Sequence, residues 1–341
     1  MNTSIQLQGI NETAIMNHWK IYTDERPDIV FQLVNTPAMQ RLADVGMNCG
    51  CEYTSFPLFQ NIKPYSRLDH SIGAALIVWN FTHDTKQTVA ALLHDIATPS
   101  FAHVIDFLHG DHEMQESTED LTFSMIEDSV EIRDILKNNG LTTVEVSDYH
   151  LFAIADNPTP QLSADRLEYT IGNIINYGYM SEDKVKYLYD DLMVGVNEKN
   201  EQELVFQSES CAMDFSMAAL RMSKIYIAPE DRYAMQRLAE LLKEQIDRGI
   251  ITERDLYGTE TSLIEKLCAN QQARDSWLRF RAYKKLINDP DSSEARIVSA
   301  KKRYINPFVD GKGRLSELSP KFKYEMQQLL DISFEEKICA E

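Results

Sequence analysis

Several absences narrow the reading of this sequence before any motif is considered. No apolar run approaches the ~20 residues a membrane span requires; the longest, Ile72 to Phe81, falls far short. Met1 to Asn17 is polar and lacks the basic start and apolar centre of a signal peptide, so the expected location is the cytoplasm. Cysteine is scarce: there are five, Cys49-Gly50-Cys51 is too tight for a zinc pair, and no Cys-x-x-Cys occurs. That excludes a disulfide framework and a thiolate metal site. No Gly-x-Gly-x-x-Gly or Gly-x-x-x-x-Gly-Lys loop is present, so any phosphate must be held by side chains and a metal. Positive charge is also in deficit. With 34 Lys and Arg against 53 Asp and Glu, the formal net charge is −19, which argues against a broad nucleic-acid or anionic-membrane surface. A small anion in a locally cationic pocket remains compatible with it.

What is present is an ordinary globular composition, 43% hydrophobic and 26% charged. A chain of 341 residues suits one large domain with an appendage, or two domains. The first half reads as helical. Thr36-Pro37 and Gly46 bracket a helix over Ala38 to Val45; Asp69 to Phe81 and Asp84 to Ala97 form two apolar helices. Thr98-Pro99 starts another that ends at Gly110, and Ser117 to Asn138 and Ser163 to Tyr177 are amphipathic. Beyond Tyr179 the pattern changes. Asp191 to Gln207 reads as a hairpin around Asn197-Glu198-Lys199-Asn200. Helices follow at Met213 to Ile227, Pro229 to Gly249 and Ser262 to Cys268, with strands expected at Leu278 to Leu286 and Lys301 to Val309. The expected fold is therefore mostly α, with residues 1–180 a helical domain and residues 181–341 a smaller α+β region.

Four of the eight histidines lie between positions 94 and 112, a density that suggests chemistry. In His94-Asp95 the two side chains point ~100° apart on a helix, so each can offer one atom to a single ion. Imidazole with carboxylate suits Fe, Mn, Co, Ni or Zn. Taken alone, a His-Asp dipeptide is more often structural than functional. The neighbouring runs change the balance: Arg67-Leu68-Asp69-His70 upstream, Pro99-Ser100-Phe101-Ala102-His103 with Asp106 and His112-Glu113 after it, and Asp165-Arg166 with Tyr169 downstream.

In the order and spacing of these residues, the stretch from about 30 to 180 resembles the HD-domain metal-dependent phosphohydrolases, and among them the deoxynucleoside triphosphate triphosphohydrolases. The resemblance implies a helical bundle and one divalent transition metal held by His70, His94, Asp95 and Asp165, with Mg accompanying a nucleotide. It implies phosphate contacts from Arg67 and Arg166, and Tyr169 beside the sugar. His112, oriented by Asp106, would pass the proton, and His103 would serve the leaving group. A small phosphorylated substrate of nucleotide type and homo-oligomeric assembly are further implications. Three positions depart from that pattern: Thr98 stands where the family has a histidine, Met47-Asn48 where it has Gln-Leu, and Asn173 where it has an acid. Thr98 reads as an N-cap, so Thr98→His is expected to be tolerated and to speed hydrolysis. The alternative is a nucleotide-binding regulatory protein that keeps the metal and has little turnover. His18, His83, His109, His150 and Arg41 read as structural or surface residues.

Overall fold

The computed structural model describes residues 19–109, 121–287 and 289–341. Its first half is a succession of helices: α1 (Asp28–Val34), α2 (Arg67–Thr82), α3 (Thr85–Leu93), α4 (Val104–His109), α5 (Thr122–Asp128), α6 (Val130–Asn138) and α7 (Ala164–Asn176). The fold is mostly α, as the sequence indicated. Among the described residues no helix is long and apolar enough to cross a membrane.

Helix α2 is the axis of this half. Ser66 opens it with a reciprocal cap: its hydroxyl accepts the Asp69 N–H at 3.2 Å, and the Asp69 carboxylate accepts the Ser66 N–H at 2.9 Å. Every residue from Arg67 to Val78 is buried, because α1, α3 and α7 pack around the helix. Two glycines permit the closest approaches. A Cβ at Gly73 would come within 2.4 Å of the Glu168 carboxylate, and one at Gly172 within 2.5 Å of the Tyr65 ring. Helix α7 starts at Ser163, whose hydroxyl accepts the Arg166 N–H at 3.3 Å.

The second half begins with α8 (Glu182–Tyr189) and the expected hairpin, β1 (Leu192–Val196) with β2 (Gln202–Phe206). The hairpin is antiparallel, with Leu192 opposite Phe206 and Val196 opposite Gln202. Then follow α9 (Glu209–Tyr226), α10 (Pro229–Asp247), α11 (Glu260–Ala269), α12 (Gln271–Ala282), β3 (Leu286–Ile287), β4 (Phe308–Val309), β5 (Gly313–Arg314), α13 (Pro320–Leu330) and β6 (Cys339–Ala340). The larger sheet has the order β1-β2-β4-β5, β4 running parallel to β2; β3 and β6 form a separate antiparallel pair. Arg314 fixes the sheet's far edge by a buried two-pronged pairing with Glu203, at 2.6 and 2.7 Å.

Two apolar clusters result. The larger joins α1, α2, α3 and α7 to β2, α9 and α13, from Trp19 to Leu329. The smaller gathers Cys49 to Phe59, Phe101 to Phe107, and the α10–α12 region around Tyr233, Trp277 and Phe280.

Local expectations are corrected at five places. Helix α3 stops at Leu93, with His94 as its C-cap, and does not reach Ala97. The helix expected from Thr98-Pro99 starts only at Val104, because tertiary contacts claim the intervening backbone. Ser100 N–H donates to the Leu256 carbonyl at 2.6 Å and Phe101 N–H to the Glu260 carboxylate at 3.3 Å, while Phe101 and Ala102 take positive φ of 63° and 45°. The single helix expected over Ser117 to Asn138 is broken at Ser129, whose hydroxyl caps α6 by accepting the Ile132 N–H; residues 117–120 lie outside the described residues. Leu278 to Ala282 belongs to a helix and not a strand, since Ala273, Trp277 and Phe280 turn one face into the smaller cluster. Of Lys301 to Val309 only the last two residues pair as a strand.

Candidate functional site

Three helices deliver the four predicted metal donors to one place. His70 lies in the first turns of α2, His94 and Asp95 leave the end of α3, and Asp165 lies in the first turn of α7. His70 Nε2 is 3.0 Å from Asp165 Oδ1 and 3.9 Å from Asp95 Oδ2; His94 Nε2 is 3.7 and 3.6 Å from the same two atoms. Donors held ~2.0–2.2 Å from one ion are separated by roughly 3–3.5 Å at adjacent corners of its shell. His70, His94 and Asp95 each offer an atom within 4.8 Å of the others, and Asp165 closes on both imidazoles. The set fits a divalent ion that accepts nitrogen and oxygen.

The outer contacts aim these donors. His70 Nδ1 is 2.6 Å from Glu168 Oε2, and Glu168 also accepts the hydroxyls of Tyr22 at 3.2 Å and of Tyr65. His94 Nδ1 lies 2.8 Å from the Ala91 carbonyl. Both rings therefore turn Nε2 inward, the tautomer a metal needs. Asp95 is held at both oxygens, by Arg67 Nη1 at 3.1 Å and by the Thr98 hydroxyl at 2.7 Å. Charge follows geometry. Burial disfavours the charged forms of Asp95 and Asp165, but Arg67 and the imidazoles outweigh it at Asp95, and the imidazoles with Arg166 outweigh it at Asp165, so both carboxyls are held well below the usual range. Burial also opposes charge on His70, yet Asp165 and Glu168 raise it to about 10. The surroundings call for positive charge at this point.

The donors line an open cavity of ≈ 690 Å³, a size suited to a nucleotide-scale ligand. Its walls include Arg67, Tyr169, Asn173, Tyr226, Met47 and Asn48, the three departures from the family pattern thus being partly in view. Lys301, Lys302 and Arg303 also line it, a local excess of cations on a chain of net charge −19.

The other predicted residues divide. Arg67 and Tyr169 face the cavity, the Tyr169 ring 6.4 Å from that of His70. Arg166 borders it too, but its donors go to the Gln161 carbonyl at 2.8 Å, to the carbonyl and side chain of Asn157, and to Asp156 at 3.1 Å. That makes it a brace for the loop before α7. Asp106, fully buried, pairs with His103: Nδ1 to Oδ2 is 3.0 Å. His103 Nε2 lies 3.4 Å from Arg303 Nη2, and burial, with Arg303 nearby and Asp106 opposing, lowers its pKa. His112 lies outside the described residues.

The structure also changes the reading of Thr98. It is no N-cap but a buried hydroxyl fixing Asp95, so a histidine there would lose that bond and overfill its place. Arg41, read as surface, binds the Ile96 and Thr98 carbonyls, both at 2.8 Å, and so supports the turn after His94-Asp95.

No family model matches the chain. Two curated proteins do. Uncharacterized protein YdhJ of Bacillus subtilis is 27% identical over 207 residues, 60% of this chain and 62% of that protein's length. Metal-dependent phosphohydrolase cns2 of Cordyceps militaris is 25% identical over 340 residues, 95% of this chain and 94% of that protein. The second similarity spans nearly the whole chain. A solved hypothetical protein from Aquifex aeolicus shares the fold, with a TM-score of 0.60 at 18% identity over 92% of both chains.

Sequence reasoning missed Glu168, which faces His70 Nδ1, and the 300–304 segment, which lines the cavity. Glu168 is three residues after Asp165, hence on the same helix face, a signal that was there to be used. The three consecutive cations Lys301-Lys302-Arg303 in so acidic a chain were another.

Proposed function

We propose that the protein is a metal-dependent phosphohydrolase acting on a small phosphate ester, with a nucleotide as the substrate class. The observation carrying this reading is the convergence of His70, His94, Asp95 and Asp165 on the wall of a nucleotide-sized cavity that also carries Arg67 and the 301–303 cations. A divalent ion bound there supplies Lewis acidity and an acidified water. The chain's own groups do the rest. Glu168 and the Ala91 carbonyl hold the imidazoles in the binding tautomer, while Thr98 and Arg67 fix Asp95. Arg67 and Arg303 neutralise phosphate charge. His103 is neutral at physiological pH, because burial outweighs Asp106, and so accepts the proton of the attacking water. Tyr169 and Tyr226, with ring centroids 6.3 Å apart, continue the wall away from His70 and offer faces to a sugar and base.

The finer reading is an HD-type hydrolase of deoxynucleoside triphosphates with shifted selectivity, working as a cytoplasmic homo-oligomer. The order of the Arg67, His70, His94-Asp95 and Asp165 runs supports it, and Met47, Asn48 and Asn173 on the cavity wall are where selectivity would shift. The test is a panel of metals and phosphate esters with product identification: tripolyphosphate marks a triphosphohydrolase, orthophosphate a phosphatase, and pyrophosphate a pyrophosphohydrolase. His94→Ala and Asp165→Ala are expected to lose their metal. Full metal content in both, or tight nucleotide binding without turnover under every metal, would overturn the enzymatic reading.

A further inference from the structure

The cavity has a second end. Asp165, Tyr169, Asn173 and Tyr177 all line it, and a spacing of four makes them one ridge of α7, from its first turn to its C-cap. At 1.5 Å per residue the ridge spans ~18 Å of the helix axis, starting at the fourth metal donor. Tyr226, the last residue of α9, braces it part-way: its ring centroid is 6.3 Å from that of Tyr169, and its hydroxyl accepts the Asn173 amide at 2.9 Å. Asp231 and Met235, one turn apart on α10, also line the cavity. Asp231 stands close to Tyr177, whose hydroxyl is raised by burial and further by that carboxyl.

An acid in the first turn of a helix ordinarily answers the helix dipole and stays ionised in water. Glu230 and Asp231 both lie in the first turn of α10, and neither caps it, the N-cap being Ala228. Asp231 differs in its setting. Burial pushes its carboxyl from 3.8 up to about 8, with Glu230 adding to the rise and Cys51, Arg232 and Arg303 opposing it. Among the described residues its carboxyl has one hydrogen-bond partner, Cys51, whose Sγ is 3.8 Å from Oδ1; a thiol is a weak donor. Oδ2 is left for whatever enters the cavity. The two ends therefore suit different parts of one ligand. Arg67 stands with the metal donors and draws phosphate, whereas a carboxyl among tyrosine rings and a thioether repels it. Aromatic faces with a hydrogen-bonding group at their edge are how proteins hold an unpaired base.

We propose that Asp231 is a specificity-determining residue that accepts a hydrogen bond from an N–H on the edge of a nucleobase, the phosphate of the same ligand lying at the metal donors; this rests on the nucleotide phosphohydrolase reading. Tyr177 and Tyr226 are the faces beside that base, and Tyr169 and Asn173 lie along the sugar between the two ends. The carboxyl keeps an acceptor oxygen whether or not it carries a proton, so the contact does not depend on its ionisation. A ligand without a base leaves Asp231 with its thiol contact alone and forgoes the bond.

The test uses Asp231→Leu and Asp231→Asn in the full, metal-loaded chain. Two ligands are compared: the nucleoside 5′-monophosphate that the parent cleaves with the highest kcat/KM, and ribose 5-phosphate, which keeps the sugar and phosphate and lacks the base. The expected result for Asp231→Leu is a rise in KM for the nucleotide of roughly 10- to 150-fold, the scale of one hydrogen bond to a charged group. Its kcat, its metal content and its KM for ribose 5-phosphate stay at the parental values. Asp231→Asn, which keeps an acceptor oxygen, loses less. An equal loss on both ligands marks a structural role and overturns the proposal, as does an unchanged KM for the nucleotide in Asp231→Leu. Should Asp231→Leu fail to fold, Asp231→Asn decides by the same comparison. A parent that takes ribose 5-phosphate with the KM of the nucleotide overturns the nucleotide reading itself, and the proposal with it.

Discussion

Glu168→Gln is the perturbation that separates the charge behind a metal donor from the shape of the site. Glu168 Oε2 faces His70 Nδ1 at 2.6 Å and also accepts the Tyr65 hydroxyl, while Oε1 accepts the Tyr22 hydroxyl at 3.2 Å. Glutamine has the same outline. With its carbonyl kept toward His70 and Tyr65, its amide points at Tyr22, whose hydroxyl can turn and accept. All three contacts survive, and only the negative charge behind the imidazole is removed. Losing such an outer partner typically lowers metal affinity 10- to 100-fold, which is about 1.4–2.8 kcal/mol. The expected result, read by competition against a chelator of known affinity, is a fall within that range with little change in the Tm of the metal-free protein. Glu168→Ala is not an equivalent test: it leaves buried donors unpaired at ~1–3 kcal/mol each and opens a hole against Gly73. Unchanged metal affinity in Glu168→Gln, with His70→Ala losing the metal, would refute the reasoning.

Three further outcomes are expected. Thr98→Val removes only the hydroxyl on Asp95 and should weaken metal binding by about tenfold or more, whereas Thr98→His should lower stability by ~1–3 kcal/mol through overpacking; a more active and equally stable Thr98→His, measured by melting and turnover, would restore the sequence-level expectation. Arg303→Gln should reduce kcat/KM by roughly 10- to 150-fold, the scale of one charge-assisted hydrogen bond, with metal content unchanged; an unaltered kcat/KM would remove Arg303 from phosphate binding. Glu52 carries a buried oxygen without a partner, and burial together with Glu260 pushes its carboxyl from 4.5 up to about 8. Its folded pKa is raised, so the stability it contributes is full below about 4.5 and lost as pH rises through about 8. Glu52→Gln should therefore flatten the decline in Tm between pH 5 and 8, and a variant curve parallel to the parent's would count against this.

The convergence of the four candidate metal donors was legible because each sits in a local pattern that secondary structure converts directly into position. His70 follows the Ser66 cap, His94-Asp95 ends an apolar helix, and Asp165 opens the next one. The hairpin was legible for the same reason, two apolar runs around a polar turn. What escaped depends on groups distant in sequence. Glu260 and the Leu256 carbonyl, more than a hundred positions away, decide that Phe101 and Ala102 turn left-handed and that α4 starts late. Arg41 looked like surface because Ile96 and Thr98, whose carbonyls it binds, are near only after folding. At Arg166, expected to contact phosphate, sequence cannot show that Asp156, Asn157 and Gln161 engage the guanidinium in the folded chain. Lys301 to Arg303 reach the cavity in an irregular segment just before β4, which pairs with β2, and no local periodicity announces such an arrival.

The division of the interior into two apolar clusters has a bearing on how the molecule fails. Leu68, Ile72, Leu92, Leu93, Ala164 and Leu167, the neighbours of the metal donors, belong to the larger cluster. Phe101, Ala102, Val104 and Ile105, which seat His103, belong to the smaller one, together with α10 to α12. Parts of a protein resting on different cores open with different free energies. On the proposed function, metal retention and proton transfer would then be separately breakable: loosening the α10–α12 side would displace His103 while an ion held by His70, His94, Asp95 and Asp165 stayed bound. Mild denaturant should silence the molecule before it demetallates, leaving a metal-bound but inactive state between the native and unfolded chains.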